Sequence, residues 1–275
     1  MRKSQGVIAA YALVIFAGPV GAAPAKQAVP DFSGMTVGWL AMGTDFKEVP
    51  GTPAIVANDD AHPHVGNGGG KQSSFRFADL NNPNLTDFAK ASLKKTNDEV
   101  LRGKAVFSRE ARCWPTGVPT YDLNQAQPVY IVQTPKEVLM MWQMDHQIRH
   151  IYLDVPHSAN PKPSWYGESV GHYEGDTLVV DTIGQNTQTY VDNYRTPHSE
   201  KLHVVERLHL TNDGKNLQAD IVVDDPATFK QPIEVTQTWR RVAQGPMSES
   251  SCAESGPGFF DFDVEPIPTA TKADF

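Results

Sequence analysis

The 275-residue chain is 40% hydrophobic and 20% charged, an ordinary composition for a folded domain and too apolar for disorder. Gly and Pro number 21 each, a loop-heavy share that argues against a helical bundle. Basic residues total 24 and acidic 32, a net charge of −8, so the chain lacks the electrostatic footprint of a nucleic-acid or anionic-lipid binder.

Met1-Arg2-Lys3 precedes an apolar run from Val7 to Gly18, and small residues follow at Val20-Gly21-Ala22 or Ala23-Pro24-Ala25. This is the three-part layout of a secretory signal, and the run is short for a membrane span. Residues 1–22 are therefore expected to be a cleaved signal peptide, and the protein periplasmic or secreted with no stable membrane insertion. Losing Arg2 and Lys3 with no acid takes the charge from −8 to −10. Cys113 and Cys252 are the two cysteines. An even count in an exported chain predicts one disulfide, closing a loop of about 140 residues.

Residues 23–110 read as a loop-rich N-terminal segment. Pro, Gly, Asn and Asp dominate 26–84, with Gly66-Asn67-Gly68-Gly69-Gly70-Lys71 at the centre. That glycine run is no phosphate loop, because Gln72 stands where Ser or Thr would hold magnesium. One helix is expected from about Leu85 to Leu101, capped by Asn84 or Thr86 and ended by Gly103. Leu85, Phe88, Ser92, Leu93, Val100 and Leu101 would fall near one face of it.

From residue 111 to 255 the signal is β. Short runs rich in β-branched and aromatic residues lie at 129–132, 138–144, 148–153, 177–182, 202–210, 217–223 and 233–242. Asn212-Asp213-Gly214 between two alternating runs predicts a hairpin. The expected fold is mostly β, an antiparallel meander closing as a calycin- or lipocalin-like barrel, since closure removes exposed edges. Residues 256–275 read as a C-terminal tail.

The period of two assigns polar residues to faces. Leu202, Val204, Glu206, Leu208 and Leu210 share one face, which makes Glu206 a carboxylate on a core surface in need of a partner. His146, Arg149 and His172 are the candidate partners. His146 ends the set Val138, Met140, Trp142, Met144, and Asp181 shares an apolar face with Thr177, Val179 and Ile183. Nine histidines are present, but no HExxH, and no metal site is expected.

Gly167-Glu168-Ser169-Val170-Gly171 matches the nucleophile-elbow pattern, with Asp181 and His198 following in the order of a serine hydrolase. The context fails, because a proline-rich approach precedes the serine and a strand, not a helix, follows it. Ser169 is therefore expected to be a structural turn hydroxyl bonded to backbone.

The longer stretch Ser164-Trp165-Tyr166-Gly167-Glu168-Ser169-Val170-Gly171-His172-Tyr173-Glu174-Gly175-Asp176-Thr177-Leu178-Val179-Val180-Asp181-Thr182 resembles the signature of a large family of exported bacterial proteins. Cys113-Trp114-Pro115-Thr116-Gly117-Val118-Pro119, Asp145-His146-Gln147-Ile148-Arg149, the run Pro197 to Arg207 and Cys252-Ala253-Glu254 carry the same resemblance. The chain departs from that family at Gly184-Gln185-Asn186-Thr187 and at Tyr173, where Trp is common. The resemblance implies a secreted, mostly β domain and brings no established reaction with it.

These features lead to an exported enzyme without organic cofactor, performing lyase, isomerase or hydratase-type acid–base chemistry on a small, partly apolar and possibly aromatic molecule. His146 or His198 would move the proton, Asp181 or Glu206 would orient the histidine, and Arg149, Trp165, Tyr173 and His203 would bind the substrate. The competing class is a calycin-like carrier without chemistry. Convergence of the ionisable residues around one cavity would favour the enzyme, and scatter would favour the carrier.

Overall fold

The computed structural model describes residues 29–34, 36–47, 78–101, 113–123, 128–143, 147–192, 194–243, 245–249 and 252. The expected signal peptide, the glycine run at 66–71, His146 and the 256–275 tail lie outside the described residues.

Nine strands close into one barrel: β1 Val37–Lys47, β2 Val129–Gln133, β3 Glu137–Trp142, β4 Gln147–Leu153, β5 Glu168–Glu174, β6 Thr177–Ile183, β7 His203–Thr211, β8 Asn216–Asp224 and β9 Ile233–Ala243. The mostly β, calycin-like barrel expected from the sequence is the observed fold. Neighbouring strands follow chain order, and β1 pairs with β9 to close the ring. Met140, Ile151, Val180, Leu208, Ile221 and Val235 fill the interior, each no more than 1% exposed. The alternation that defined the run at 202–210 holds, with Val204, Glu206 and Leu208 pointing inward.

The meander departs from the expectation in two places. The pairing of β4 with β5 is parallel, Ile151 to Ser169 and Leu153 to Gly171. A parallel neighbour needs a crossover of a dozen or more residues, and here residues 154–167 supply it without a helix. Nor is the barrel confined to residues 111–255. The loop-rich stretch contains β1, whose pattern is broken by a register shift between Ala41 and Gly43 that leaves Met42 59% exposed.

The hairpin between β7 and β8 turns at Asn212, Asp213 and Gly214, all with φ between 52° and 75°. Helix α1 (Asp87–Leu101) starts two residues later than Leu85 suggests. Thr86 is its cap, with Oγ1 accepting from the Ala89 amide at 3.3 Å. Its buried face is Ala89, Leu93 and Asn97, spaced by four, while Phe88 turns outward and is 51% exposed. The expected apolar face thus misplaces Phe88, and Leu101 as well, which is 57% exposed.

Two pieces close the barrel ends. Short helix α2 (Thr120–Leu123) packs at the end where β2 starts, with Tyr121 Oη donating to the Met140 carbonyl at 3.0 Å and its ring edge-on to Trp142 and Tyr166. At the opposite end Phe32 is tied down by the Trp39 indole at 2.8 Å and by Gln133 at 2.7 Å. Cys113 and Cys252 are joined as a disulfide, with Cα atoms 5.6 Å apart. Among the described residues no helix is long and apolar enough to cross a membrane.

Candidate functional site

The expected acid–base residues fall into three separate places. The first is the barrel interior beneath α2. Arg149 (β4), Glu206 (β7), Asp122 (α2) and Thr182 (β6) are 0% exposed, and Ser169 (β5) is 2% exposed. Arg149 Nη1 donates to Glu206 Oε1 at 2.9 Å, and Nη2 donates to Glu206 Oε2. The same Nη1 reaches Asp122 Oδ2 at 3.3 Å, and Nη2 reaches Thr182 Oγ1 at 3.0 Å. Ser169 Oγ takes Arg149 Nε at 3.3 Å and pairs with Thr182 Oγ1 at 2.8 Å.

Glu206 is therefore partnered by Arg149, one of the three candidates. His172 is exposed on the outer wall against Glu174. Burial pulls the guanidinium pKa down, and Glu206 and Asp122 more than reverse that, leaving it above its ordinary value. Arg149 is enclosed and presents no face to a ligand, so it holds the core rather than a substrate oxygen. Ser169 is structural, but not as a backbone-bonded turn hydroxyl: it lies within β5 and bonds to side chains.

The second place is the outer wall. On β6 the inward set is Leu178, Val180 and Thr182, so Asp181 points outward. Both faces of β6 are rich in apolar residues, and periodicity alone ranks neither. Asp181 Oδ1 accepts from His157 Nε2 and His203 Nε2, each at 3.0 Å. The other ring nitrogen of His157 meets Glu168 Oε1 at 2.9 Å. Glu168 is fixed in turn by the Ser158 amide and hydroxyl, both at 2.7 Å. Carboxylates only accept, so a doubly protonated His157 ring satisfies both neighbours where a neutral ring satisfies one. Burial raises Asp181, but the hydrogen bonds from His157 and His203 outweigh it and hold the carboxyl below its usual value. The hydrogen bonds of Ser158 do the same for Glu168.

The hydrolase triad does not assemble. Ser169 faces in, Asp181 faces out, and His198 bonds elsewhere.

The third place holds His198, in a groove of about 790 Å³ lined by Phe88, Thr187, residues Pro197–Lys201, Pro226 and Ala227. His198 is 3% exposed. Its Nδ1 meets the Ser199 carbonyl at 2.9 Å, which can only accept, so Nδ1 carries the proton and Nε2 takes the Thr189 hydroxyl at 2.7 Å. With both nitrogens engaged, His198 is a fixed part of the groove rather than a poised base.

The groove walls are locked together. Asp225, 0% exposed, accepts from the Ser199 amide and hydroxyl, the Ala227 amide and the Thr228 hydroxyl. Thr86 Oγ1 donates to the Ala227 carbonyl at 2.6 Å, joining the start of α1, and hence Phe88, to the same loop. Among the described residues no carboxylate pairs with Lys201.

The remaining expected ligands of a substrate lie apart from these places. Trp165 packs on Trp114 with ring centroids 5.4 Å apart. Tyr173 Oη accepts from Gln133 Nε2 at 2.8 Å, near the Phe32 end, and burial raises its pKa. Sequence reading missed Asp122, His157, Glu168 and Asp225. The first sits on a one-turn helix and the second in the long crossover, where no periodicity marks them. Glu168 is visible only as part of the elbow pattern, and Asp225 lies in the short connection between β8 and β9. No protein-family model and no curated protein matches the chain.

Proposed function

We propose that this is an exported small-molecule binding protein without chemistry of its own, holding a partly apolar ligand in the groove between α1 and the loops at 187–201 and 226–227. The observation that carries this reading is a groove of about 790 Å³ whose walls are fastened to one another through buried Asp225. That volume suits a drug-sized ligand, and fixed walls spare a ligand the cost of ordering them. Phe88, Pro197, Pro226 and Ala227 supply apolar contact; Thr187, Ser199 and Lys201 supply polar ends. The closed barrel fits a calycin-like binder, and the scatter of the ionisable residues speaks against one shared catalytic centre. Export, and kinship with the exported family that Ser164–Thr182 resembles, belong to the same proposal. The disulfide supports export, because such bonds persist in oxidising compartments.

The test is a thermal-shift screen of aromatic and terpenoid-like compounds, with hits titrated by calorimetry. Phe88→Ala should weaken a hit about tenfold, the loss of roughly 1.4 kcal/mol of contact. Ala227→Trp should fill the groove and abolish binding with the fold intact. Hits that bind both variants as tightly as the parent chain would overturn the reading.

A second reading, acid–base catalysis, is favoured by the chain Glu168–His157–Asp181–His203. Asp181 holds His203 by Nε2, which leaves Nδ1 as the basic nitrogen on a side chain 42% exposed. Turnover of a screened compound, lost in His203→Gln and kept in Ala227→Trp, would replace the first reading with this one.

A further inference from the structure

We propose that the Asp122–Glu206 pair is a binding site for a single proton, occupied at neutral pH, and that this proton latches α2 onto the barrel interior. The argument begins with charge. Two carboxyl groups and one guanidinium meet at 0% exposure, and both carboxyls bond to the same Arg149 nitrogen. Were both ionised, an uncompensated negative charge would sit in a fully buried core, which is strongly unfavourable.

Hydrogen bonding adds a second, independent reason. Asp122 Oδ1 is buried and finds no donor among the described residues. As a carboxylate oxygen it would be stranded, whereas as part of a carboxylic acid it belongs to a group with a proton to give. Glu206 is the acceptor beside it, since the two carboxyls meet at the same Arg149 Nη1. Glu206 is the better seat for the negative charge, since it holds the two-point contact with Arg149. Burial first, and the Glu206 charge second, raise the Asp122 pKa well above the carboxylate range.

Among the described residues the charged and titratable groups that face Asp122 are Arg149 from β4 and Glu206 from β7, with Tyr121 as its neighbour on α2. Tyr166 lies beyond Tyr121, and Ser169 and Thr182 contribute neutral hydroxyls. Asp122 links α2 to this cluster, so removing the proton sets two buried carboxylates against each other and pushes α2 outward. The proton passes to solvent base; no other bond changes. This device operates whether or not the groove binds a ligand.

Infrared spectroscopy of the full chain, with aspartate labelled with carbon-13 at the side-chain carboxyl, tests the site. A carboxylic-acid carbonyl band from labelled aspartate should persist at neutral pH, vanish in Asp122→Asn, and disappear in the parent chain on alkalinisation. Hydrogen exchange corrected for intrinsic base catalysis should show α2 losing protection in step with that band, and Asp122→Asn keeping it. If all aspartates are ionised above about pH 6, Asp122 does not hold the proton and the proposal fails. If the band is lost while α2 stays protected, the latch fails. The parent chain alone decides both points should Asp122→Asn not fold.

Discussion

Arg149 and Glu206 stand three strands apart in the barrel wall, and their side chains meet inside it through two parallel hydrogen bonds. Glu206→Leu should destabilise the fold by ~3–5 kcal/mol in denaturant unfolding, because the buried Arg149 loses both hydrogen bonds of its two-point contact and Leu offers no acceptor in their place. Glu206→Gln should cost well under half of that, since the amide still accepts and Asp122 ionises to serve as counter-ion. Arg149→Met combined with Glu206→Leu should be less destabilised than the two single changes added together. Additive losses would mean that the pair is not coupled.

Much of this was legible from the period of two. The alternation at 202–210 is unambiguous, because only one face is apolar and Glu206 interrupts it. On β6 the same rule assigned Asp181 to the core, since Val179 and Ile183 on the outer face look as apolar as Leu178 and Val180. β1 stayed hidden behind its glycines and the register shift at Met42, and β5 behind the resemblance of Gly167–Gly171 to a catalytic turn. Side chains on loops and single turns, such as Asp122, His157 and Asp225, take their partners from tertiary contacts that no local pattern encodes.

The disulfide predicts its own thermodynamic mark. It closes a loop spanning 139 residues, so breaking it releases the denatured chain and should cost about 3–5 kcal/mol. Alkylation without reductant should leave the mass unchanged, and Cys113→Ser should melt lower. Two labelled thiols in the native protein would rule out the bond.

Ser169 should resist a fluorophosphonate probe, being 2% exposed with its oxygen committed to Arg149 and Thr182. Ser169→Ala should instead lower stability by ~1–3 kcal/mol, because Arg149 donors lose their acceptor in the core. Stoichiometric labelling lost in that variant would contradict this placement.

The outer-wall carboxylates govern behaviour in acid. Asp181 and Glu168 both have lowered folded pKa values, so their contribution is complete above the ordinary carboxylate range and is lost as pH falls through the lowered values. Unfolding free energy should therefore decline below about pH 4. Asp181→Asn should flatten that decline, modestly, since the side chain is 40% exposed and screened by solvent. An unchanged acid slope in Asp181→Asn would remove the cluster from the account of acid stability.

The groove carries the functional reading, and where a bound compound sits tests it most directly. Amide chemical-shift mapping of the nitrogen-15 labelled chain, titrated with the tightest hit from the screen, gives that position. The account predicts that the largest shifts fall at Phe88, Thr187, Ser199 to Lys201 and Ala227, with the outer wall near His157, Asp181 and His203 unmoved. Shifts centred on His157, Asp181 and His203, with the groove silent, would contradict it.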